Sequence, residues 1–266
     1  MSAAQVAAVR DDSFDLTGKT AIVTGSTRGI GLAIATAFAD RGARVVVSSR
    51  KADACEAARA AIVERGGEAV AVPCNIGEKE QLRTLVDRTL EAYGAIDVLV
   101  CNAAVNPYFG PLSGIGDDAF DKIMNSNVRS NVWLCNMVQP SMTAAGGGAI
   151  VIVSSIAGLK GSRMLGAYGI SKAADAQLAR NLAVELGPNN IRVNAIAPGI
   201  IKTDFAKALY ENPDVEKFVT KQYPLGRLGV VDDVSGVAVM LASRAGAFIT
   251  GQTIVVDGGT TIGGFD

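Results

Sequence analysis

Tyr168 and Lys172 stand four residues apart in Tyr168-Gly-Ile-Ser-Lys172, a spacing that puts both side chains on one face of a helix. The residues that follow, as far as Leu186, are rich in Ala and Leu, so a helix is the expected setting. The chain has no histidine, and the side chain that most often moves protons near neutral pH is therefore missing. A phenol ordinarily titrates near ~10, and an ammonium held beside it favours the phenolate. The pair is a candidate acid/base couple for work near physiological pH. Ser155, at the end of an apolar run, stands ahead of it in the chain. A half-buried ring and a solvated ammonium can share the same spacing, so the rest of the chain decides.

The elements that must position these residues begin with a phosphate-binding pattern. Residues 19–24 are a short apolar run that leads into Gly25-Ser-Thr-Arg-Gly-Ile-Gly31, and a helix is expected over residues 30–41. Strand, glycine-rich turn and helix aim backbone N–H groups and a helix N-terminus at a phosphate. A second apolar run at 44–48 follows directly, which favours a nucleotide site over a turn without a ligand. In a site for NAD, an acid about ~20 residues beyond the glycines binds the ribose 2′-hydroxyl. Here the second strand ends Ser48-Ser49-Arg50-Lys51, with no acid, and Arg28 lies inside the glycine turn. Two guanidinium groups suit a 2′-phosphate, which arginine grips through paired hydrogen bonds. NADP(H) is thus the expected cofactor.

The alternation continues to the end of the chain. Helices are expected over residues 53–65 and 78–93, and strands over 69–74 and 96–101. A loop covers 102–110, and residues 117–145 read as one bent helix. Residues 149–154 are a near-continuous apolar run, as in a strand buried on both faces. The Tyr168 helix is followed by a strand at 191–196 and an irregular stretch with short helices at 200–228. A helix at 232–243 and a strand at 253–256 complete the pattern. Seven strands alternating with helices predict a single-domain, doubly wound α/β fold of Rossmann type, its parallel sheet covered by helices on both faces. Residues 1–15 read as a flexible N-terminal extension, leaving 16–266 as the domain.

Composition narrows the function. Apolar residues make up 49% of the 266-residue chain and charged residues 19%, enough apolar material for a substantial core. A formal charge of −1 gives no electrostatic footprint for nucleic acid. Cys55, Cys74, Cys101 and Cys135 are widely spaced, with no C-x-x-C and no histidine to join them. Isolated thiols are expected, and neither a metal site nor a redox motif. No run of ~18 apolar residues suggests a membrane span, and the first residues lack the apolar core of a signal peptide. The expectation is a soluble cytoplasmic protein with neither nucleic-acid nor membrane partners.

Taken together, Thr24-Gly25-x-x-x-Gly29-Ile-Gly31, Asn102-Ala-Ala, Asn127, Ser155, Tyr168-x-x-x-Lys172 and Pro198-Gly199 resemble the short-chain dehydrogenase/reductase family. Motif order and spacing agree from about residue 14 to 260. Val46-Val-Ser-Ser-Arg50 and Asn102-Ala-Ala-Val-Asn-Pro107 look like the NADP-dependent carbonyl and retinol reductases of that family. The resemblance implies direct hydride transfer between nicotinamide C4 and a carbonyl carbon. It implies that Ser155 holds the substrate oxygen and that Tyr168 exchanges its proton. Lys172 would bind the nicotinamide ribose and favour the phenolate, and Asn127 would hold a water linking Lys172 to solvent.

Cofactor contacts are implied for Gly25, Thr27, Arg28, Gly29, Ile30 and Gly31 at the first turn, and for Ser49 and Arg50 at the end of the second strand. They are implied also for Asn75 and Ile76, for Asn102 and Ala103, and for Pro198, Gly199, Ile201 and Thr203, besides Tyr168 and Lys172 themselves. Two positions depart from the family pattern. Ala104 replaces a usual glycine, and its methyl narrows the space beside the cofactor. Asn75 replaces a usual aspartate at the adenine amine, and its amide oxygen can still accept. A homotetramer is implied too, in keeping with small residues such as Ala173, Ala174 and Ala176 on the long helix.

The substrate pocket is expected to draw on Val105, Tyr108, Phe109, Ile156, Leu159, Met164, Leu165, Ile200, Phe205 and Leu209, some of which will be core or subunit-interface residues. This mostly apolar set suits a ketone, aldehyde or secondary alcohol with an apolar body. A β-ketoacyl reductase acting on carrier-protein or coenzyme A thioesters is the alternative within the family. Such enzymes dock an acidic carrier on arginines, and the corresponding positions here, Gly146 and Asn189, are uncharged. The alternative of another class is a non-catalytic dinucleotide sensor on the same fold, which the intact Asn127, Ser155, Tyr168 and Lys172 set argues against.

Overall fold

The structure, a computed structural model, describes residues 12–263. Its strands are β1 (Thr20–Thr24), β2 (Arg44–Ser48), β3 (Glu68–Ala71), β4 (Val98–Cys101), β5 (Gly148–Val153), β6 (Ile191–Pro198) and β7 (Thr253–Val256). They form one parallel sheet in the order β3-β2-β1-β4-β5-β6-β7. The helices are α1 (Gly29–Ala39), α2 (Ala52–Glu64), α3 (Lys79–Tyr93), α4 (Asp117–Met124), α5 (Ser130–Ala144), α6 (Gly166–Leu186), α7 (Pro213–Thr220) and α8 (Val231–Ala242). This is the expected single, doubly wound fold.

Alternate residues of a strand point to opposite faces, and both faces here are apolar. Val23, Val45, Val47, Val100 and Val151 pack with Ile34 and Phe38 of α1, Ile62 of α2 and Val234 of α8. Ile22, Val46, Leu99, Ile150 and Ile152 pack with Leu82 and Leu85 of α3, Leu134 and Val138 of α5 and Leu182 of α6. Each fully buried side chain of this size contributes roughly 1.5–3 kcal/mol. A sheet buried on both faces is what makes its strands read as unbroken apolar runs.

The strand order reverses between β1 and β4. The C-terminal ends of these two strands are the usual ligand position in such sheets. The segments after β5 and β6 leave from the same sheet edge, because all the strands are parallel.

The structure departs from the sequence reading in a few places. Residues 117–145 are not one bent helix: a π-helical turn at Asn125–Arg129 separates α4 from α5. Ser130 N reaches back five residues to Asn125 O. Ser130 Oγ donates to Ser126 O at 2.6 Å, and Asn131 Nδ2 to Asn127 O at 2.7 Å. Side chains thus add hydrogen bonds to carbonyls of the widened turn. β3 closes at Ala71, although Val72 N and Cys74 N still donate to Val47 O and Ser49 O at 2.9 Å, so the chain stays tied to the β2 side past Pro73, whose nitrogen falls on the outer edge of the sheet. The irregular stretch contains α7 and a 3₁₀ turn at Asp204–Leu209.

Of the extension expected over 1–15, residues 1–11 lie outside the described residues. Asp12 pairs with Arg244 at 3.2 Å, Ser13 O accepts from Ala245 N at 2.8 Å, and Leu16 is buried in the core.

Candidate active site

The glycine turn is braced from both neighbouring strands. Gly25 and Gly29 have φ of 66° and 56°, where a side chain would be strained. Ser26 Oγ donates to Val23 O at 2.6 Å and accepts from Ser48 N at 2.9 Å, which ties the turn to β2. On the other side, Thr24 Oγ1 accepts from Asn102 N at 3.0 Å and Ala103 N at 3.1 Å. Asn102 Nδ2 donates to Thr24 O at 2.8 Å and Gly25 O at 3.2 Å. The Asn102 amide nitrogen therefore shapes the turn. α1 begins without a side-chain cap and without an acid in its first turn, so its first N–H groups are left for a ligand.

The other residues expected at a cofactor lie in this turn and at or after the ends of β2, β3 and β6. Ser49 is half-buried at the end of β2, and Arg50 is exposed. Arg28 Nη1 lies 3.6 Å from Asp204 Oδ2, with side chains 74% and 70% exposed; an ion pair this open to water holds the arginine only weakly. Asn75 Oδ1 accepts from Gly77 N at 3.2 Å, so its oxygen already closes a local turn. Thr27, Ile30 and Ile76 are half-buried. The Thr203 methyl packs 3.3 Å from where a β-carbon on Gly29 would stand. Gly199 N donates to Val256 O, Ile200 N donates to the Tyr223 hydroxyl at 2.9 Å, and Ile201 is buried. The segment after Pro198 is thereby fastened to β7.

The candidate proton-handling residues lie just after β5, on α6 and in the π-turn. Ser155 follows β5, and its Oγ accepts from Ala157 N at 3.1 Å, which fixes its rotamer. Lys172 Nζ lies 5.7 Å from the centre of the half-buried Tyr168 ring. Two of the lysine's protons go to Val153 O and Asp175 Oδ2, both at 2.9 Å. Asn127 is fully buried. Its Oδ1 accepts from Val105 N at 2.8 Å, and its Nδ2 donates to Val105 O and Ser171 Oγ, both at 3.0 Å. Ser171 Oγ donates to Tyr168 O at 2.7 Å, so the loop after β4 is joined through Asn127 to the first turns of α6.

Burial works against the Lys172 ammonium, but the Asp175 carboxylate, with Tyr168 and Cys101, outweighs it and holds the lysine above its ordinary range. Asp175 is pushed up by burial against the pull of Lys172 and Asn131. Both carboxylate oxygens accept hydrogen bonds, from Lys172 and Asn131, and these two donors favour the ionised pair. All four cysteines are free and buried. The Cys101 thiol is held well up by its contact with Cys135 and by burial, and burial together with Cys55 pushes Cys74 up to about 11. Among the described residues no cluster of His, Cys, Asp and Glu could hold a metal ion.

Exposed apolar side chains stand in the segments after β4, β5 and β6. Phe109, Leu159, Met164 and Phe205 are exposed, and the Phe205 ring lies 6.1 Å from that of Tyr168. Gly110 N donates to Met164 O at 3.0 Å, which brings the loop after β4 against the segment entering α6. Val105, Tyr108, Leu165 and Ile200 are half-buried. Ile156, expected at the pocket, is a core residue at 8% exposure, because the 3₁₀ turn after Ser155 folds it inward. The side chain of Leu209 lies outside the description.

Sequence reasoning missed Asp175, Asn131, Ser171 and Ser154, whose Oγ donates to Lys172 O at 2.7 Å. The i, i+3 spacing of Lys172 and Asp175 was the one available signal.

A glycine-braced helix start at the switch point of a doubly wound sheet, beside a serine, tyrosine and lysine set, defines a dinucleotide-binding oxidoreductase. The family model described as Enoyl-(Acyl carrier protein) reductase matches residues 25–261. The rabbit (Oryctolagus cuniculus) protein named Dehydrogenase/reductase SDR family member 4 is 44% identical over 92% of this chain and 94% of its own length. Its human counterpart is 42% identical over 92% and 88%. Among solved structures, a 7α-hydroxysteroid dehydrogenase complexed with NADH and 7-oxo glycochenodeoxycholic acid superposes with a TM-score of 0.90 at 38% identity, covering 94% of this chain and 97% of that one. A gluconate 5-dehydrogenase from Burkholderia cenocepacia J2315, in complex with NADP and tartrate, reaches 0.91 at 31% identity over 95% and 99%. The chain belongs to the short-chain dehydrogenase/reductase family, and it is a carbonyl/alcohol oxidoreductase that uses a nicotinamide dinucleotide.

Proposed function

We propose that this protein reduces ketones and aldehydes with a mainly apolar body, using NADP(H), and runs in reverse on secondary alcohols. The observation that carries the reading is the hydrogen-bond chain from Asn127 through Ser171 to Tyr168 O, with the Lys172 ammonium 5.7 Å from the Tyr168 ring centre and the exposed Phe205 ring beside it, on the sheet edge that bears the glycine turn. The residues present fit a dinucleotide: two glycines of positive φ and an uncapped start to α1 suit a diphosphate. Ser49 stands where an acid would select a free 2′-hydroxyl, and Arg50 and Arg28 suit a 2′-phosphate. Thr27, Ile30, Asn75, Ile76, Asn102, Ala103, Pro198, Gly199, Ile201 and Thr203 complete the proposed cradle. Bound NADPH supplies the hydride.

The chain's own groups handle the substrate oxygen. Ser155 holds the carbonyl by a hydrogen bond, and Tyr168 delivers a proton to that oxygen. Lys172 stabilises the negative charge that the phenol then carries, and Asn127 keeps a water on the route by which the proton is replaced. The exposed side chains of Phe109, Leu159, Met164 and Phe205 support an apolar substrate body.

A screen of NADPH oxidation over ketones, quinones, aldehydes and β-ketoacyl thioesters tests the reading, run on wild type and on Tyr168→Phe. Apolar ketones and aldehydes should be the best substrates. The variant should lose at least the ~10²–10⁴-fold typical of missing acid/base catalysis while still binding NADPH. Near-normal turnover by Tyr168→Phe would overturn the assignment, and a clear preference for carrier-protein thioesters would replace the substrate class. A homotetramer is proposed as well, supported by the exposed apolar side chains Val184, Phe248 and Val255; light scattering that reports a monomer would refute it. A cytoplasmic location accords with the lack, among the described residues, of any helix long and apolar enough to cross a membrane; subcellular fractionation checks it.

A further inference from the structure

Asp175 lies three residues beyond Lys172 on α6, and its side chain is fully buried, as is all but 3% of the lysine's. One carboxylate oxygen takes the ammonium at 2.9 Å, and the other takes the Asn131 amide at 3.0 Å. Asn131 also donates to Asn127 O, so the carboxylate is wired into the frame that holds the candidate catalytic set. The proton transfer proposed above does not itself need this carboxylate. Stability alone is a weak reason for it, because desolvation offsets much of the attraction in a buried ion pair.

We infer that Asp175 is a positioning residue, which holds the Lys172 ammonium beside Tyr168 and, by compensating its charge, sets the pH range over which the Tyr168–Lys172 pair stays protonated for reduction. The inference rests on the reading of Tyr168 as the acid. The other groups that face Lys172 are Tyr168 on α6, Cys101 on β4 with Cys135 of α5 behind it, and the Val153 carbonyl of β5. Both thiols are buried, and burial disfavours a thiolate. The negative charge at the lysine therefore comes from Asp175.

Asp175→Asn keeps an acceptor for Lys172 and removes the charge. The Tyr168–Lys172 pair then gives up its first proton at lower pH, whichever group loses it. The alkaline limb of the kcat profile for reduction should move down by about one pH unit, the scale of one nearby charge removed at intermediate dielectric. Asp175→Glu, which keeps the charge, should hold the wild-type limb. An unmoved limb in a folded Asp175→Asn overturns the inference. Should that variant not fold, Asp175→Ser carries the same test. If neither neutral variant folds, the carboxylate is a structural requirement and the inference falls.

A wild type that reduces no ketone or aldehyde would fail the functional reading and leave this one testable. Ultraviolet difference titration of tyrosinate, with Tyr168→Phe subtracted, needs neither substrate nor cofactor. A lower midpoint in Asp175→Asn upholds the role of the carboxylate, and an unchanged one overturns it.

Discussion

Asn102 and Gly31 share one space: a β-carbon on Gly31 would overlap the Asn102 amide nitrogen and Gly25 O. The same nitrogen donates to Thr24 O and Gly25 O, so the glycine turn is braced by the residue that follows β4. Gly31→Ala must displace backbone as well as this amide. It should lose about 1–3 kcal/mol of stability, the usual cost of overpacking, and dinucleotide affinity should fall at least ~10-fold, or ~1.4 kcal/mol. Denaturant unfolding and a cofactor fluorescence titration read the two effects. Wild-type behaviour in both would mean that the brace does not matter.

Ser49 and Arg50 follow β2 without an acid. Charge-assisted hydrogen bonds contribute about 1.5–3 kcal/mol each, and the lower end suits side chains as exposed as Arg28 and Arg50. If both arginines bind the 2′-phosphate as proposed, two such bonds should give a preference for NADPH on the order of 10²-fold. Ser49→Asp with Arg50→Ile should reverse it, since an acid there accepts from a free 2′-hydroxyl and repels phosphate. kcat/KM for both cofactors on both proteins decides the matter, and a wild type that prefers NADH sinks the reading of the arginines.

Asn127 meets three partners in a buried place: Val105 N, Val105 O and Ser171 Oγ. Asn127→Ala leaves them unpaired, at about 1–3 kcal/mol for each buried group that water cannot reach. The melting temperature should drop and kcat should fall with it, because the loop after β4 loses its tie to α6. Asn127→Asp should be no better, since a carboxylate has no proton for Val105 O. An Asp variant as stable as wild type would contradict the assigned amide orientation.

Asp233, in the first turn of α8, takes Arg227 Nη1 at 2.7 Å, Arg227 Nη2 at 2.9 Å and Val230 N at 2.8 Å. Arg227 is the first cause that holds its carboxyl down, at about 2 from an ordinary 3.8. A depressed carboxylate stabilises the fold above the unfolded value, and that stabilisation is lost as pH falls through the folded one. The contribution is about 1 kcal/mol after solvent screening; it is complete above roughly pH 4 and gone near pH 2. Asp233→Asn should be destabilised at neutral pH, and its deficit against wild type should close as the pH approaches 2. A deficit that persists unchanged into acid would show that the charge plays no part.

The fold was legible because its signals are local. Strands such as 253–256 and 191–196 are short apolar runs between helical segments, and a sheet covered on both faces needs no more than that. The glycine turn and the Tyr168–Lys172 pair were legible for the same reason, since steric freedom at glycine and the helical repeat act within a few residues. The π-turn was not: it depends on Ser130 and Asn131 bonding back to carbonyls, and on Asn127 being held by Val105, 22 residues earlier. Ile156 looked like a pocket residue from its neighbours in the chain, and only the 3₁₀ turn after Ser155 turned it inward. Asp175 stood in plain sight on an Ala-rich helix with no marked apolar stripe, so nothing local said which way it faced. Packing of α6 against β5 and α5 decided that, by closing off water from both charges and leaving Lys172 and Asn131 as the carboxylate's partners.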